Sequence, residues 1–299
     1  MTKSSPDRAS VDELGAVLRA VEASTDAATR VAHDPVSLVR AVEDPHEAEL
    51  VAVLASSLAF GNVRTILAKV TEARERVGEP LVLACDHPAR VRRALATFKH
   101  RVYRGPEVAA LLLGARAMQR RHGSLGAALA AHLRGASLQE GLARWVDELR
   151  ASGGLDRVDG VGARHLVPDP RAGGSSKRLL LLLRWMVRPR GDTDVGLWSS
   201  LVPTSVLLIP LDTHLFKLSK NLGLTSRAAP SWRAAEEVTR SLAALDPVDP
   251  VRFDFPLCHL GMAQGCPSRR DVVRCVGCGV QPLCVHWRGR RARGAKHRA

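Results

Sequence analysis

Four cysteines near the end of the chain carry its clearest chemical signal, in the spacing Cys266-x8-Cys275-x2-Cys278-x5-Cys284. Thiolates bind soft metals, and four of them on one short loop can enclose a single centre. A structural zinc ribbon normally presents two Cys-x2-Cys knuckles. This loop has one, Cys275-x2-Cys278, with a separate cysteine on either side. That arrangement suits a cubane cluster, whose four irons each take a ligand from a different direction. A [4Fe-4S] cluster is therefore the expected cofactor, with zinc as the alternative. Arg269, Arg270, Arg274 and Arg288 lie close in sequence to offset an anionic cluster. Cys258 and Cys85 stand apart and read as core residues.

The second signal is an acid. Asp212 follows Pro210-Leu211 and precedes a helical stretch running to Asn221. The position predicts an N-cap, whose carboxylate accepts a backbone N–H of the first turn and stabilises the helix by about 1 kcal/mol. A capping carboxylate is held rigidly, and its second oxygen is expected to face outward. Such a fixed charge can stabilise positive charge developing nearby or orient an attacking group. The two roles are compatible.

The elements that must position these groups read as helices. Asp12–Val31, Pro45–Phe60, Val63–Val77, Pro106–Arg121 and Ser137–Leu149 are rich in Ala, Leu, Arg and Glu, with apolar residues at three- and four-residue steps. Leu50, Val53, Leu54 and Leu58 form one such stripe. Asp44-Pro45, Gly105-Pro106 and Ser231 mark helix starts, and Gly61, Gly78 and Gly123 mark stops. Lys177–Val187 is apolar nearly all round and predicts a helix in the middle of a core. Glycines and prolines crowd Ala151–Gly174, which predicts a long exposed loop. The one β-like run, Val206–Ile209, also suits a buried extended connection. The expected class is all-α.

Composition narrows the partners. With 45% hydrophobic and 25% charged residues, collagen, coiled-coil and wholly disordered chains are excluded. The longest apolar run, Leu179–Leu183, is closed by Arg184 and is too short to span a bilayer. Residues 1–8 lack an apolar leader core, so a cytosolic protein without membrane association is expected. The net charge is +14, and the six basic residues from Arg288 onward account for part of it, leaving +8. A field of that sign attracts polyanions, nucleic acid above all, unless the arginines are merely a solvated surface.

Taken in order along the chain, three pieces resemble the helix-hairpin-helix DNA glycosylase superfamily, especially its endonuclease III branch. Pro210-Leu211-Asp212-Thr213-His214-Leu215-Phe216-Lys217, followed by Leu222-Gly223-Leu224, resembles the segment carrying that family's essential aspartate. Phe255 to Gly261 resembles its helix before the first cluster cysteine. The cysteine loop resembles its Cys-x6-Cys-x2-Cys-x5-Cys, with two more residues in the first gap. The chain is also similar, along its whole length, to a bacterial family described only as a conserved domain of unknown function, which implies no activity.

The glycosylase resemblance implies a two-lobed helical fold. Residues 46–205 would form a barrel lobe and 1–45 with 206–287 the cluster lobe. A DNA cleft would lie between them, and 288–299 would be a basic disordered tail. It implies a monomer that flips a damaged base from double-stranded DNA and cleaves its N-glycosidic bond, with Asp212 facing the oxocarbenium-like sugar. It makes Lys177 the candidate nucleophile, attacking the sugar C1′ to give a Schiff base. In the first turn of its helix the macrodipole disfavours a cation there and favours the neutral amine. Lys177 lies farther ahead of Asp212 than in most of the superfamily. The glycine hairpin expected directly before the lysine has its letters only upstream, in Val158-Asp159-Gly160-Val161-Gly162. Arg178, Lys217 and Lys220 are the candidate DNA contacts, with a solvated face as the plain alternative. A non-catalytic iron–sulfur nucleic-acid binder and an electron-transfer protein are the competing functions.

Overall fold

The computed structural model describes residues 10–158 and 160–288. Apart from Arg288, the basic tail expected at 288–299 lies outside the described residues, as does Asp159. Of the described residues 62% are helical, and their strands amount to one antiparallel two-residue pair. The all-α class holds. No helix of the described residues is long and apolar enough to cross a membrane. The chain divides into two units: one from residues up to Ala27 together with Leu208 onward, the other from Ala28 to Leu207.

In chain order the elements are α1 (Val11–Ala23), α2 (Ala27–Val31), α3 (Val36–Arg40), α4 (Pro45–Leu58), α5 (Val63–Val77), α6 (Leu81–Ala84), α7 (Pro88–Leu95), β1 (Lys99–His100) and β2 (Tyr103–Arg104). They continue as α8 (Gly105–His122), α9 (Leu125–Leu133), α10 (Leu138–Gly153), α11 (Val161–Leu166), α12 (Lys177–Val187), α13 (Thr213–Asn221), α14 (Trp232–Ala243) and α15 (Asp254–Ala263). The single helix expected over Asp12–Val31 is two. Ser24 and Thr25 turn their hydroxyls back onto the Val21 carbonyl at 3.0 and 2.8 Å, ending α1 there.

The larger unit is built around α4, which packs against α3, α5, α6, α8 and α12. Every residue from Glu47 to Leu58 is buried, so the expected one-face stripe is an all-round core. Two glutamates fit there because their carboxylates cap other helices. Glu47 accepts the N–H groups of Leu81 and Val82 at 2.8 and 2.9 Å, at the start of α6. Glu49 accepts those of Leu125 and Gly126 at 2.9 and 3.1 Å, at the start of α9, together with Trp198 Nε1 at 2.7 Å and Gln119 Nε2 at 2.8 Å. The α12 helix has its expected bounds and buries Leu179, Leu180, Leu182, Leu183, Trp185, Met186 and Val187.

The long exposed loop expected at Ala151–Gly174 is instead largely ordered. Helix α10 continues to Gly153, which crosses α8 so closely that a Cβ would lie 1.9 Å from the Ala110 carbonyl oxygen. Leu155, Ala163, Leu166 and Val167 are buried. Gln139 and Arg150 of α10 hold the Pro170 and Val167 carbonyls at 2.9 and 3.0 Å. Two of the glycines that suggested a loop, Gly153 and Gly162, are there for close packing, a Cβ on Gly162 lying 2.6 Å from the Val102 carbonyl oxygen, while Gly154, Gly160 and Gly173 take positive φ at turns.

In the smaller unit α13 packs against α15 and α15 against α1. Arg252 bridges Glu22 and Asp246 at 3.0 and 2.9 Å. Residues 207–212 run as an extended connection into α13, with the Ile209 N–H held by Thr239 Oγ1 at 2.9 Å.

Candidate functional site

Asp212 is the N-cap of α13, in extended backbone, with Oδ1 accepting the Leu215 N–H at 2.7 Å. Its second oxygen is not left facing outward as expected. Cys258, on the face of α15 that packs against α13, places its thiol 3.4 Å from Oδ2. Cys258 is half-buried, and its position beside the acid separates it from Cys85, which is buried in the core with its thiol pushed up to about 12 by burial. The Asp212 side chain is half-buried, and the next two residues, Thr213 and His214, are exposed. The carboxylate is thus clamped at both oxygens on an open edge of the unit.

The other end of α13 meets the cysteine loop. Cys266, Cys275, Cys278 and Cys284 all line one cavity of about 410 Å³, its open mouth included, together with Leu218, Asn221 and Trp287. Burial raises the Cys266 thiol above its ordinary range, with Cys278 and Cys275 adding to the effect and an Asn221 hydrogen bond opposing it. Burial raises Cys284 likewise, and the other three cysteines add to it. Among the described residues, no three His, Cys, Asp or Glu side chains converge tightly enough to hold a single ion.

The cavity wall carries hydrogen-bond donors and positive charge. Asn221 Nδ2 donates to Cys266 Sγ at 3.2 Å. The Trp287 indole N–H is buried without a partner on the cavity wall. Arg269 and Arg274 line the same space, and Arg270 lies 4.0 Å over the Trp287 ring. Arg288 is already paired with Glu13 at 3.0 Å. Four thiols, an unmatched N–H and two arginines around one cavity fit an anionic, thiolate-held group.

The remaining candidates are distributed between the units. Lys217, half-buried on α13, is close enough to Cys266 to act on its thiol, and Lys220 is exposed, with its ammonium 5.9 Å over the Phe216 ring. Lys177 opens α12 in the larger unit and is half-buried. Arg178, its neighbour, is only 9% exposed. Its guanidinium turns inward, donating to the Tyr103 hydroxyl and the His165 carbonyl. Burial lowers its pKa, and burial raises that of Tyr103 to about 12. The outward contact expected of Arg178 is therefore replaced by an internal one.

A family model described as "Protein of unknown function (DUF2400)" matches residues 34–263, more than half of the chain. The chain belongs to the DUF2400 family. No curated protein and no solved structure matches it. The DUF2400 match includes Lys177 and Asp212 and ends before Cys266, so the cysteine loop lies beyond it.

Three residues of this DUF2400 chain that belong to the site were not singled out from sequence: Asn221, His286 and, as a partner of the acid, Cys258. His286 Nε2 lies 3.1 Å from Asn221 Oδ1. A weak signal existed for Asn221. It is one of two asparagines in the chain and ends the helix that Asp212 begins.

Proposed function

We propose that this DUF2400 protein is a DNA base-excision glycosylase that carries a [4Fe-4S] cluster on Cys266, Cys275, Cys278 and Cys284. The observation that carries the reading is the α13 helix, with a clamped carboxylate at its first end and a four-cysteine cavity at its last. A structural zinc normally takes two Cys-x2-Cys knuckles, and the loop's single knuckle with a separate cysteine on either side favours the cluster. When bound, the cluster supplies a fold-stabilising cross-link of the loop, since metal binding and folding are coupled.

In this reading the chemistry belongs to protein side chains. Cleaving an N-glycosidic bond builds positive charge on the deoxyribose. Asp212, with Oδ1 and Oδ2 already oriented, holds its negative charge toward the sugar without having to reorganise. Lys177, in the first turn of α12, is the proposed nucleophile. Its neutral amine attacks C1′ as the bond to the base breaks, and the base leaves with the amine's proton. The C1′–O4′ bond then opens, O4′ taking a proton, to give a Schiff base from which the 3′-phosphate is eliminated and the strand cut. Lys217 and Lys220 are the proposed backbone contacts, on the helix that follows the acid. Arg178 is left out of that group, because its guanidinium is already used inside the unit. The basic net charge supports double-stranded DNA as the partner, with a log–log salt slope near −0.9 per phosphate contact.

The test is incubation of the anaerobically purified protein with duplexes carrying a panel of damaged bases, followed by alkaline cleavage. Strand breaks at one or more lesions are expected. Binding without breaks on every lesion would overturn the glycosylase and leave a non-catalytic iron–sulfur nucleic-acid binder. A colourless protein holding one zinc per chain would overturn the cluster.

A further inference from the structure

Asn221 is 6% exposed, and each of its polar atoms has a partner. Nδ2 donates to Cys266 Sγ at 3.2 Å and to the Pro267 carbonyl at 2.9 Å, while Oδ1 accepts from His286 Nε2 at 3.1 Å. The amide orientation follows from chemistry. A carbonyl oxygen can only accept, so the nitrogen must be the atom that faces Pro267, and the same nitrogen then faces the sulfur. With Oδ1 on the other side, the His286 nitrogen next to it must carry a proton. The carboxamide therefore binds residues from both ends of the cysteine loop to the last residue of α13.

A neutral thiol is a weak acceptor and gives an amide little reason to be buried against it. An iron-bound thiolate carries negative charge and accepts strongly. We propose that Asn221 is a positioning residue for the cluster, its side-chain N–H fixing the Cys266 thiolate and its Oδ1 holding the His286 side of the loop. The proposal rests on the reading that the four cysteines hold a [4Fe-4S] cluster. It adds that the cluster's outer hydrogen bond comes from the helix that Asp212 caps. Partners outside the ligand set orient ligands and are costly to lose, about 10–100-fold in metal affinity.

The chain's two asparagines make a direct test possible in the wild type. Asn62 caps α5, accepting the Arg64 N–H at 2.9 Å, and lies in the other unit. In iron-loaded full-length protein labelled with ¹⁵N only at asparagine, the Asn62 side-chain amide is expected at ordinary shifts. The Asn221 amide is expected to be shifted or broadened by the paramagnetic states of the cluster and to return to an ordinary position when iron is removed by EDTA. In parallel, Asn221→Asp keeps the side-chain shape and Oδ1 but turns the donor into an acceptor. It should release iron to EDTA faster by roughly 10–100-fold.

A brown, iron-loaded protein with two ordinary asparagine amides would overturn this proposal and leave the cluster reading intact. So would Asn221→Asp protein that releases iron at the wild-type rate. If Asn221→Asp does not fold, the wild-type spectrum decides. A protein without iron would overturn both the cluster and the role of Asn221.

Discussion

Asp212→Asn separates the two jobs this carboxylate can do. In the wild type Oδ1 accepts the Leu215 N–H at 2.7 Å, and Oδ2 lies 3.4 Å from the Cys258 sulfur. Asparagine keeps an oxygen for the Leu215 N–H, and asparagine and aspartate are comparable caps, so stability should change by less than about 0.5 kcal/mol. Asp212→Ala removes the cap and costs about 1 kcal/mol, which lowers Tm by roughly 2–4 °C in a chain of this size. The charge matters more to chemistry. Losing one fixed electrostatic stabiliser slows turnover by about 10²–10³, equivalent to ~2.7–4 kcal/mol. Single-turnover excision on a lesion that the wild type processes, with calorimetry on both variants, measures the two effects separately. Asp212→Asn should melt like the wild type and excise at least a hundredfold more slowly, on that scale. Excision by Asp212→Asn within about threefold of the wild type, a difference under 1 kcal/mol, would refute the catalytic role and leave Asp212 as a cap.

Three further outcomes are expected. Borohydride should trap the wild type covalently on damaged DNA, and Lys177→Ala should lose the trap while keeping DNA affinity within about a few-fold, since it removes one charge among many; a trapped Lys177→Ala protein would place the nucleophile elsewhere. Glu49→Ala strips the acceptor from four donors at once, each worth about 1–3 kcal/mol when buried and unmatched, so urea unfolding should show a loss of at least ~3 kcal/mol; a loss under ~1 kcal/mol would mean that water takes the place of the carboxylate. Burial pushes the Glu148 carboxyl up, but hydrogen bonds from His122, His132 and Arg121 outweigh it and bring the pKa down to about 2. A carboxylate depressed on folding adds stability above its unfolded pKa and loses it as the pH falls toward the folded one. The urea midpoint of the wild type should therefore drop more between pH ~5 and pH ~3 than that of Glu148→Gln, and parallel curves would show that this carboxylate is not linked to folding.

What could be read from the sequence was local. Val63–Val77 and Lys177–Val187 have the bounds their patterns predict, because apolar periodicity and, for Val63–Val77, the Asn62 cap and Gly78 stop act within a few residues of one another. The cysteine spacing and the Asp212 cap are visible for the same reason. The buried Glu47 and Glu49 were not legible. Their justification is the N-terminus of another helix, at least thirty-four positions away in the chain. Ala151–Gly174 misled because glycine is used both for turns and for close approach, and the sequence does not distinguish them. Cys258 read as core because nothing in its own segment shows that Asp212, forty-six residues earlier, lies against it.

The α13 helix gives the site a physical continuity that neither motif shows alone. Nine residues rise about 13 Å, and the first and last residues of that rise border the two chemically distinctive places in the smaller unit. Asp212 sets the N-terminus by accepting the Leu215 N–H, and Asn221 fixes the C-terminus by donating to Cys266 and Pro267. Between them Leu215, Phe216 and Leu218 are buried, so the helix is anchored along its length and cannot turn at one end without disturbing the other. A cluster bound by the loop would hold the C-terminal anchor in place, and the carboxylate at the opposite end would inherit that rigidity. An electrostatic stabiliser is effective only when it does not have to move. A cysteine loop with no part in bond cleavage can therefore still matter to the acid proposed to face the sugar.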